Sequence, residues 1–225
     1  MLKFYYNLGP NPMKVALFLE ESSLPYEAIP VDGRKGDQHT PEYKAINPNS
    51  KAPAIVDDGV RVFDSNAILL YLAHKTGRFT GPARQEPEML SWLMFVATGI
   101  GPYSGQSVHF RHHAPEKLDY AINRYMFEAR RHYGILDTHL ADNKYMLGDD
   151  YSLVDMAVWG WARLLPVVLG DDALPSMPNL KRLMDEINAR PAAQRAEAIK
   201  DRHTFKTEMD DDARKNMFPS NYQKS

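Results

Sequence analysis

The sequence predicts an α/β unit followed by an all-helical unit. Strand-like and helical segments alternate over the first third of the chain, whereas beyond it apolar residues recur at helical spacing alone. A stretch rich in glycine and proline, residues 79–87, separates the two patterns. We therefore expect an N-terminal domain over residues 1–78, a linker over 79–87 and a helical domain with a C-terminal tail over 88–225.

The N-terminal unit begins in the order β-α-β. Residues 2–6 are aromatic and strand-like, residues 13–21 place apolar side chains at helical spacing, and residues 26–31 indicate a second strand. A polar loop follows. Thr40 and Pro41 then predict the start of a short helix, because a hydroxyl cap followed by proline suits a helix N-terminus.

The same unit closes in the order β-β-α. Residues 54–57 and 60–63 are strand-like and are joined by an Asp-Gly pair, which is a strong hairpin signal. Residues 65–74 then predict a helix that ends before a glycine.

The second unit is predicted to contain helices over residues 86–98 and 116–142. Between them, residues 99–115 carry several glycines and two prolines. We expect this segment to be irregular, because those residues break or bend helices.

Further along, Ser152 to Asp155 resembles a capping box, with aspartate where glutamate is usual. The almost wholly apolar residues 156–169 after it predict one helix buried at the centre. Residues 178–190 and 192–201 predict two more helices. The tail from His203 is polar, and its candidate anchors are Phe205, Met209, Met217, Phe218 and Tyr222.

Composition excludes several classes of function. The net charge of −2 gives no indication of a nucleic-acid or membrane-surface partner. The chain has 0 cysteines, which excludes disulfides, thiolate metal sites and a protein thiol nucleophile. No apolar run approaches the ~20 residues that span a bilayer, and the first residues do not resemble a secretory signal. We expect a cytoplasmic protein.

Three groups of segments resemble the soluble glutathione transferases: residues 49–77 (NSKAPAIVDDGVRVFDSNAILLYLAHKTG), residues 151–161 (YSLVDMAVWGW), and residues 11–21 with 36–55. Together with residues 99–116 and 120–137, they are most similar to the bacterial Nu class. The resemblance covers nearly the whole chain. It implies a thioredoxin-like first domain, glutathione as cosubstrate, no metal, and a homodimer.

Pro53 is the first residue to which the resemblance gives a role. It implies that the Ala52–Pro53 bond is cis and that the Ala52 backbone pairs with the cysteinyl residue of glutathione, as an added strand would. The alternative is a proline that merely begins a strand.

Asp64 and Ser65 precede a predicted helix, whose N-terminus offers unpaired N–H groups and a partial positive charge. We expect Ser65 to cap that helix and to bind a carboxylate, with Asp64 facing an amino group. The resemblance identifies this zwitterion as the γ-glutamyl end of glutathione. It also places Gln38 and Lys51 near the glycyl carboxylate and the peptide backbone. We expect His39 to be a solvated loop residue.

The resemblance gives the sulfur two candidate partners. The Nu class uses asparagine in the turn before the first helix, which is Asn11 here, with Gly9 where a threonine is usual. A donor to a charged acceptor contributes ~1.5–3 kcal/mol, and ~1.4 kcal/mol is one pKa unit. Asn11 with the helix N-terminus is therefore a sufficient catalytic group. Its alternative role is a helix cap. Tyr5 is the other candidate, and because Tyr5 and Tyr6 alternate on a strand, one should face the core and one the cleft.

The helical unit is expected to supply the wall for a second substrate, with ordinary packing as the alternative. The candidates are Tyr103, His109, Phe110 and Trp161. His109, His112 and His113 have helical spacing, but no further ligand lies nearby in sequence, and we expect no metal. Arg131 corresponds to a Nu-class arginine near bound glutathione, within its own subunit or across a dimer. The alternative is a surface arginine.

These expectations predict a glutathione-dependent thiol–disulfide oxidoreductase with modest transferase and peroxidase activity. Without cysteine, the electrons must come from glutathione itself. One alternative is a conventional transferase acting on a specific electrophile or an aromatic ether. Another is a non-catalytic glutathione-binding or interaction protein, which the combined presence of Asn11, Pro53, Asp64 and Ser65 disfavours. The partners are glutathione or its disulfide and a small disulfide, peroxide or electrophile.

Overall fold

The N-terminal unit has the predicted order of strands and helices. A computed structural model describes residues 1–222 of the 225-residue chain. The elements are β1 (Leu2–Tyr6), α1 (Pro10–Ser22), β2 (Tyr26–Pro30), a 3₁₀ turn (Asp37–His39), α2 (Pro41–Ile46), β3 (Ala54–Asp57), β4 (Val60–Phe63) and α3 (Ser65–Thr76).

The four strands form one mixed sheet in the order β2-β1-β3-β4. β1 pairs parallel with β2 and antiparallel with β3, which in turn pairs antiparallel with β4. The parallel pair requires a crossover, and α1 supplies it. Phe4 and Tyr6 belong to the main core with α1, while Tyr5 packs with Tyr43 of α2 on the other face. The predicted α/β unit is thus confirmed as thioredoxin-like.

The second unit is helical, as predicted. Its elements are α4 (Glu86–Phe95), a π-helical turn (Val96–Ile100), α5 (Gly101–His112), α6 (Asp119–His139), α7 (Leu153–Ala162), α8 (Leu165–Leu169), α9 (Pro178–Asn188), α10 (Pro191–Glu197), a 3₁₀ turn (Ala198–Asp201) and α11 (Asp211–Met217). α3 ends at Thr76 and α4 begins at Glu86, while the domain boundaries at 78 and 88 stay predictions. Along residues 1–222, no helix is long and apolar enough to cross a membrane.

The expectation of an irregular segment over residues 99–115 was wrong for residues 99–112, whereas residues 113–115 lie outside any helix, as expected. Helical structure continues from α4 through the π turn into α5, because the π turn pairs the Gly101 N–H with the Val96 carbonyl and places Pro102 in the first turn of α5. A Cβ at Gly99 would overlap the imidazole of His132. This glycine therefore serves close helix packing.

The single helix predicted over residues 156–169 is two helices, α7 and α8. Pro166 occupies the first turn of α8, because its missing N–H and its ring prevent α7 from continuing through it. The predicted capping box is present. The Ser152 hydroxyl accepts a hydrogen bond from the Val154 N–H at 3.2 Å, and Asp155 accepts one from the Ser152 N–H at 2.8 Å.

The two units meet where α1 crosses α7. Gly160 lies at this crossing, and a Cβ built on it would overlap the Lys14 stem and come within 2.6 Å of the Pro10 carbonyl oxygen. The Pro10 oxygen belongs to the backbone, so it can move away from an added Cβ only if α1 itself moves. Glycine at this position therefore sets how closely the N-terminus of α1 approaches the helical unit.

We predict that Gly160→Ala destabilises the protein by about 1–3 kcal/mol, because the added methyl group overpacks a contact with the backbone. The measurement is the midpoint of urea unfolding at equal protein concentration. Gly134→Ala on α6 is the matched control, since nothing lies within 4 Å of its added Cβ, and we expect it to stabilise the helix by about 0.5–1 kcal/mol. Equal midpoints for the two variants would contradict the close approach at Gly160.

Candidate active site

A cleft opens at the carboxyl end of β1, between the two units. It contains two adjoining hollows. The first hollow, of about 320 Å³, is lined by Asn7, Leu8, Gly9, Asp32, Gly33, Arg34, Phe205 and Met217. The second hollow, of about 110 Å³, is lined by Asn7, Val31, Gly33, Gln38, Ser50, Lys51, Ala52 and Met217. Of the predicted site residues, Gln38, Lys51 and Ala52 meet around the second hollow.

Asn11 lies in the first turn of α1, but it is not the helix cap. Pro10 begins the helix and Gly9 is the N-cap residue, because the fixed backbone angle of proline suits the first helical position. The capping role weighed for Asn11 is therefore wrong. The Gly9 N–H donates to the Asn7 side-chain oxygen at 2.9 Å.

The side chain of Asn11 is oriented by two donors. Its Oδ1 accepts from the Trp161 indole Nε1 at 3.0 Å and from the Ser65 hydroxyl at 3.4 Å. An indole N–H can only donate, so the atom that it faces must be the carboxamide oxygen. The NH₂ group of Asn11 is therefore left to donate elsewhere. Trp161, predicted as a substrate wall, is 8% exposed and reaches the site through this hydrogen bond.

The start of α3 differs from the prediction in one respect. Asp64, not Ser65, is the N-cap, and its Oδ1 accepts from the N–H groups of Asn66 at 2.9 Å and Ala67 at 3.1 Å. The exposed Asp64 has a φ of 69°, a left-handed conformation that aspartate tolerates better than most residues. Ser65 is the first residue of the helix, so its hydroxyl points to Asn11 and Lys14 instead of the helix end.

Lys14 is the residue of this cluster that sequence reasoning missed. Its Nζ donates to the Ser65 hydroxyl at 3.3 Å and to the Asn66 side-chain oxygen at 3.4 Å. Burial lowers the pKa of the ammonium from 10.5 to about 7, and the Asp64 carboxylate opposes part of that shift. The only signal in the sequence is a lysine on the apolar face of a helix.

The second hollow is bordered by a cis bond between Ala52 and Pro53, as the resemblance implied. The preceding loop is held in place because the carbonyl of Lys51 accepts from the Tyr43 hydroxyl at 2.8 Å. Gln38 is buried. Its Nε2 donates to the Gly33 carbonyl at 3.2 Å, while its Oε1 is buried without a hydrogen-bond partner among residues 1–222.

The two tyrosines of β1 face opposite ways. Tyr6 is fully buried, and its hydroxyl contacts the Ile199 carbonyl at 3.2 Å and His203 Nδ1 at 2.9 Å. The Tyr5 ring packs against Tyr43, with 5.9 Å between the centroids. Tyr5 lines neither hollow, so the expectation that one of the pair faces the cleft receives no support from the linings.

The other predicted wall residues lie on α5, which packs against α6. The Tyr103 ring packs at a tilt against His132 with centroids 4.9 Å apart, and Phe110 stacks on Tyr125 at 5.2 Å. His109 faces Phe218 of the tail at 5.3 Å. None of the three lines either hollow.

Arg131 lies on α6 and lines neither hollow. Its Nε donates to Glu128 at 2.9 Å, and Glu128 also pairs with Arg124 at 2.9 Å. The arginine side chain is 46% exposed. Within one chain, Arg131 therefore belongs to a surface cluster of charges.

The C-terminal tail, residues 203–222, closes one side of the cleft, which sequence reasoning did not anticipate. Asp32 accepts from the Lys206 N–H at 2.7 Å, and Arg34 donates to the Lys206 carbonyl at 2.7 Å. Farther along, the Asn216 carbonyl accepts from Gln38 at 3.0 Å and from His39 at 2.9 Å. His39 is exposed, yet it is tied to the tail by this hydrogen bond.

Three of the proposed apolar anchors take part in this closure. Phe205 packs edge-on to Tyr6 with centroids 5.6 Å apart, Met217 lines both hollows, and Phe218 stacks on His113 at 4.9 Å. The tail thus spans from the loop after β2 to the end of α5.

A guanidinium, that of Arg34, and a carboxylate, that of Asp32, both line the first hollow. Near the end of α5, the pKa of the His113 imidazole is lowered, first by burial and then by the neighbouring groups of His112, His109, Arg214 and Arg34. Across residues 1–222, the His, Asp and Glu side chains form no group of three that could hold a metal ion.

The fold and cleft define a thioredoxin-like protein with an appended helical domain. The sequence-family model of the glutathione S-transferase N-terminal domain matches residues 9–75, and the family model of the C-terminal domain matches residues 96–191. The chain belongs to the glutathione S-transferase family.

Three relatives are close over most of their length. The disulfide-bond oxidoreductase YfcG of Escherichia coli is 41% identical over 204 residues, covering 87% of this chain and 94% of YfcG. A Pseudomonas fluorescens family member with two glutathiones bound has a TM-score of 0.83 at 36% identity, covering 87% and 91% of the two chains. A Pseudomonas putida transferase with one glutathione disulfide bound per subunit has a TM-score of 0.82 at 34% identity, covering 88% and 91%.

We predict that Asp32→Ala releases the tail. The buried carboxylate accepts from the Lys206 N–H at 2.7 Å and the Arg34 N–H at 3.1 Å, and losing hydrogen bonds to a charged group costs about 1.5–3 kcal/mol. Trypsin should then cleave after Lys206 at least about tenfold faster, as measured by mass spectrometry of timed digests. Asp58→Ala, at the exposed β3–β4 turn, is the control. Equal cleavage rates for Asp32→Ala and the native protein would show that Asp32 does not hold the tail.

Proposed function

We propose that the protein is a glutathione-dependent thiol–disulfide oxidoreductase of the Nu-class type. The observation that carries this proposal is the orientation of Asn11, whose oxygen is occupied by Trp161 and Ser65 so that its NH₂ group is free to donate. A chain with 0 cysteines needs such a donor, since the sulfur must come with the substrate. The activity of YfcG, a disulfide-bond oxidoreductase by name, supports the same reaction.

Glutathione would lie across the cleft from α3 to the second hollow. The backbone N–H of Ser65, at the start of α3, would hold the carboxylate of the γ-glutamyl end, and the Asp64 carboxylate would hold its amino group. The Ser65 hydroxyl would stay engaged with Lys14 and Asn11. The Ala52 backbone would pair with the cysteinyl residue. Lys51 and Gln38 would approach the glycyl end, where the unpartnered Gln38 oxygen needs an N–H donor.

The sulfur would lie before the N-terminus of α1, where the Asn11 NH₂ group and the helix dipole both favour the thiolate. The thiolate attacks one sulfur of a disulfide, forming a mixed disulfide with glutathione and releasing the other half as a thiolate. A second glutathione thiolate attacks the glutathione sulfur of that intermediate. The products are glutathione disulfide and two thiols, and the two electrons come from two glutathiones.

The second glutathione, or the disulfide substrate, would occupy the first hollow. Arg34 lines it, and its guanidinium suits a carboxylate of a second glutathione. The two glutathiones bound by the Pseudomonas fluorescens relative support this stoichiometry. The predicted wall residues of α5 would support this hollow from behind without lining it. They are Tyr103, His109 and Phe110.

Conventional transfer of glutathione to an electrophile is the second candidate. Leu8, Phe205 and Met217 give the first hollow an apolar side, which suits an aromatic electrophile. Peroxide reduction would use the same thiolate.

A non-catalytic binding protein is the third candidate, and it would show neither activity. A cytoplasmic location would suit a protein that consumes reduced glutathione.

A homodimer is proposed from exposed apolar side chains on both units. Val60 and Phe63 of β4 are 51% and 43% exposed, while Met94 of α4 and Phe127 of α6 are 45% and 63% exposed. Burial of such side chains between two subunits would remove apolar surface from water. A two-fold axis would bring the first unit of one chain against the helical unit of the other. Arg131, on the same helix as Phe127, could then approach glutathione of either subunit.

We predict that Asn11→Ala raises the pKa of bound glutathione by about one to two units, because one donor to the thiolate is lost. Ultraviolet titration of the thiolate band at saturating glutathione measures this pKa. The rate with bis(2-hydroxyethyl) disulfide should fall at neutral pH in proportion to the lost thiolate.

Tyr5→Phe is the control, since the Tyr5 ring packs on Tyr43, on the face of the sheet away from α1. If Tyr5→Phe shifts the titration and Asn11→Ala does not, the enzyme is of the tyrosine type. If the native protein turns over aromatic electrophiles much faster than disulfides, the conventional transferase is the correct function. If it catalyses neither reaction, the protein only binds glutathione.

We predict that the native protein is a dimer at micromolar concentration and that Phe63→Glu dissociates it, because the charge would be buried in the interface. Light scattering should give the variant a mass near 25.6 kDa. Val167→Glu, at a residue of α8 that is 45% exposed, should leave the dimer intact. A native mass near one chain would exclude the dimer.

A further inference from the structure

Lys14 is a lysine enclosed between three helices. It is 1% exposed, although it lies only three residues after Asn11 on α1. Its stem crosses α7 at Gly160, where any side chain would overlap it. Its Nζ ends at the start of α3, against Ser65 and Asn66. Burying an ammonium is costly, so a lysine in this place needs an explanation beyond packing.

The immediate partners of the ammonium are neutral oxygens. The Ser65 hydroxyl lies at 3.3 Å and the Asn66 carboxamide oxygen at 3.4 Å. An ammonium has three donors and no acceptor, so both oxygens must act as acceptors. Ser65 then has a single hydrogen left, and Asn11 Oδ1 lies 3.4 Å away to accept it.

The three groups therefore form a chain of hydrogen bonds in which each group donates to the next, from Lys14 through Ser65 to Asn11. We infer that Lys14 is a positioning residue, which directs the Ser65 hydroxyl to the Asn11 oxygen as a second donor beside the Trp161 indole and so strengthens the outward orientation of the Asn11 NH₂ group. This inference rests on the proposed function, in which that NH₂ group holds the sulfur of glutathione.

The protonation of Lys14 determines the direction of this chain. A neutral amine has a lone pair, to which Ser65 could donate instead, and Asn11 would then keep Trp161 as its one donor. The charged group that bears on Lys14 is the Asp64 carboxylate at the start of α3. Ser65 and Asn66 of α3 and Gly160 of α7, which also contact it, are neutral. A carboxylate of glutathione bound at Ser65 would add to the effect of Asp64 and favour the ammonium.

The test is a double-mutant cycle on the pKa of bound glutathione, read from the thiolate band at saturating ligand. Lys14→Met keeps the stem and removes the amine, and it should raise that pKa by about one unit. In an Asn11→Ala background, the same substitution should add no further shift, because the chain no longer reaches the sulfur. Lys75→Met is the control, since it removes an equal charge from the surface end of α3, and it should leave the pKa unchanged.

Ser65→Ala breaks the same chain in the middle. It should raise the pKa as Lys14→Met does, and it keeps the test decisive if Lys14→Met fails to fold. An unchanged pKa in whichever of these two variants folds would overturn the inference. An equal shift from Lys14→Met with and without Asn11 would also overturn it, because the charge would then act directly on the sulfur. If Asn11→Ala itself leaves the pKa unchanged, the proposed function fails, a result distinct from failure of the Lys14 variants alone.

Discussion

The hydrogen bond from the Trp161 indole to Asn11 Oδ1, at 3.0 Å, joins the two units of the protein at the point where its chemistry is proposed. It depends on the close crossing of α1 and α7, which in turn depends on the absence of a side chain at Gly160. The same crossing encloses Lys14 and brings its ammonium to Ser65. The orientation of one amide thus depends on packing between helices that lie about 150 residues apart in the chain.

The tail imposes a second constraint on the cleft. Its backbone is held by Asp32 and Arg34 near Lys206, and by Gln38 and His39 at Asn216. Apart from the exposed contact of His39, these hydrogen bonds join partly buried polar groups, which contribute more than surface contacts because water is excluded. Met217 consequently becomes a wall common to both hollows. The shape of the substrate space is therefore decided by a segment whose composition is mostly polar.

Much of the fold could be predicted, because local signals agreed with each other. The Asp-Gly hairpin between β3 and β4 and the capping box of α7 occur where local signals indicated them, and the cis bond before Pro53 occurs where the family resemblance implied it. Two failures of the fold prediction have separate causes. Gly99 was ambiguous between chain breaking and close packing, and only its partner His132 resolves that ambiguity. The apolar pattern of residues 156–169 was continued through Pro166, which begins a new helix.

The sequence by itself determined the family, the order of the elements and the absence of a protein thiol, because these follow from motifs and composition that need no partner. It also identified Asn11, Gln38, Lys51 and Ser65 as candidates. Only the tertiary structure decided that Asp64 caps α3. It also decided that the NH₂ end of the Asn11 carboxamide is free to donate, and that Lys14 is buried nearby. These are properties of contacts between distant segments, and a linear pattern contains no information on which donor meets which acceptor.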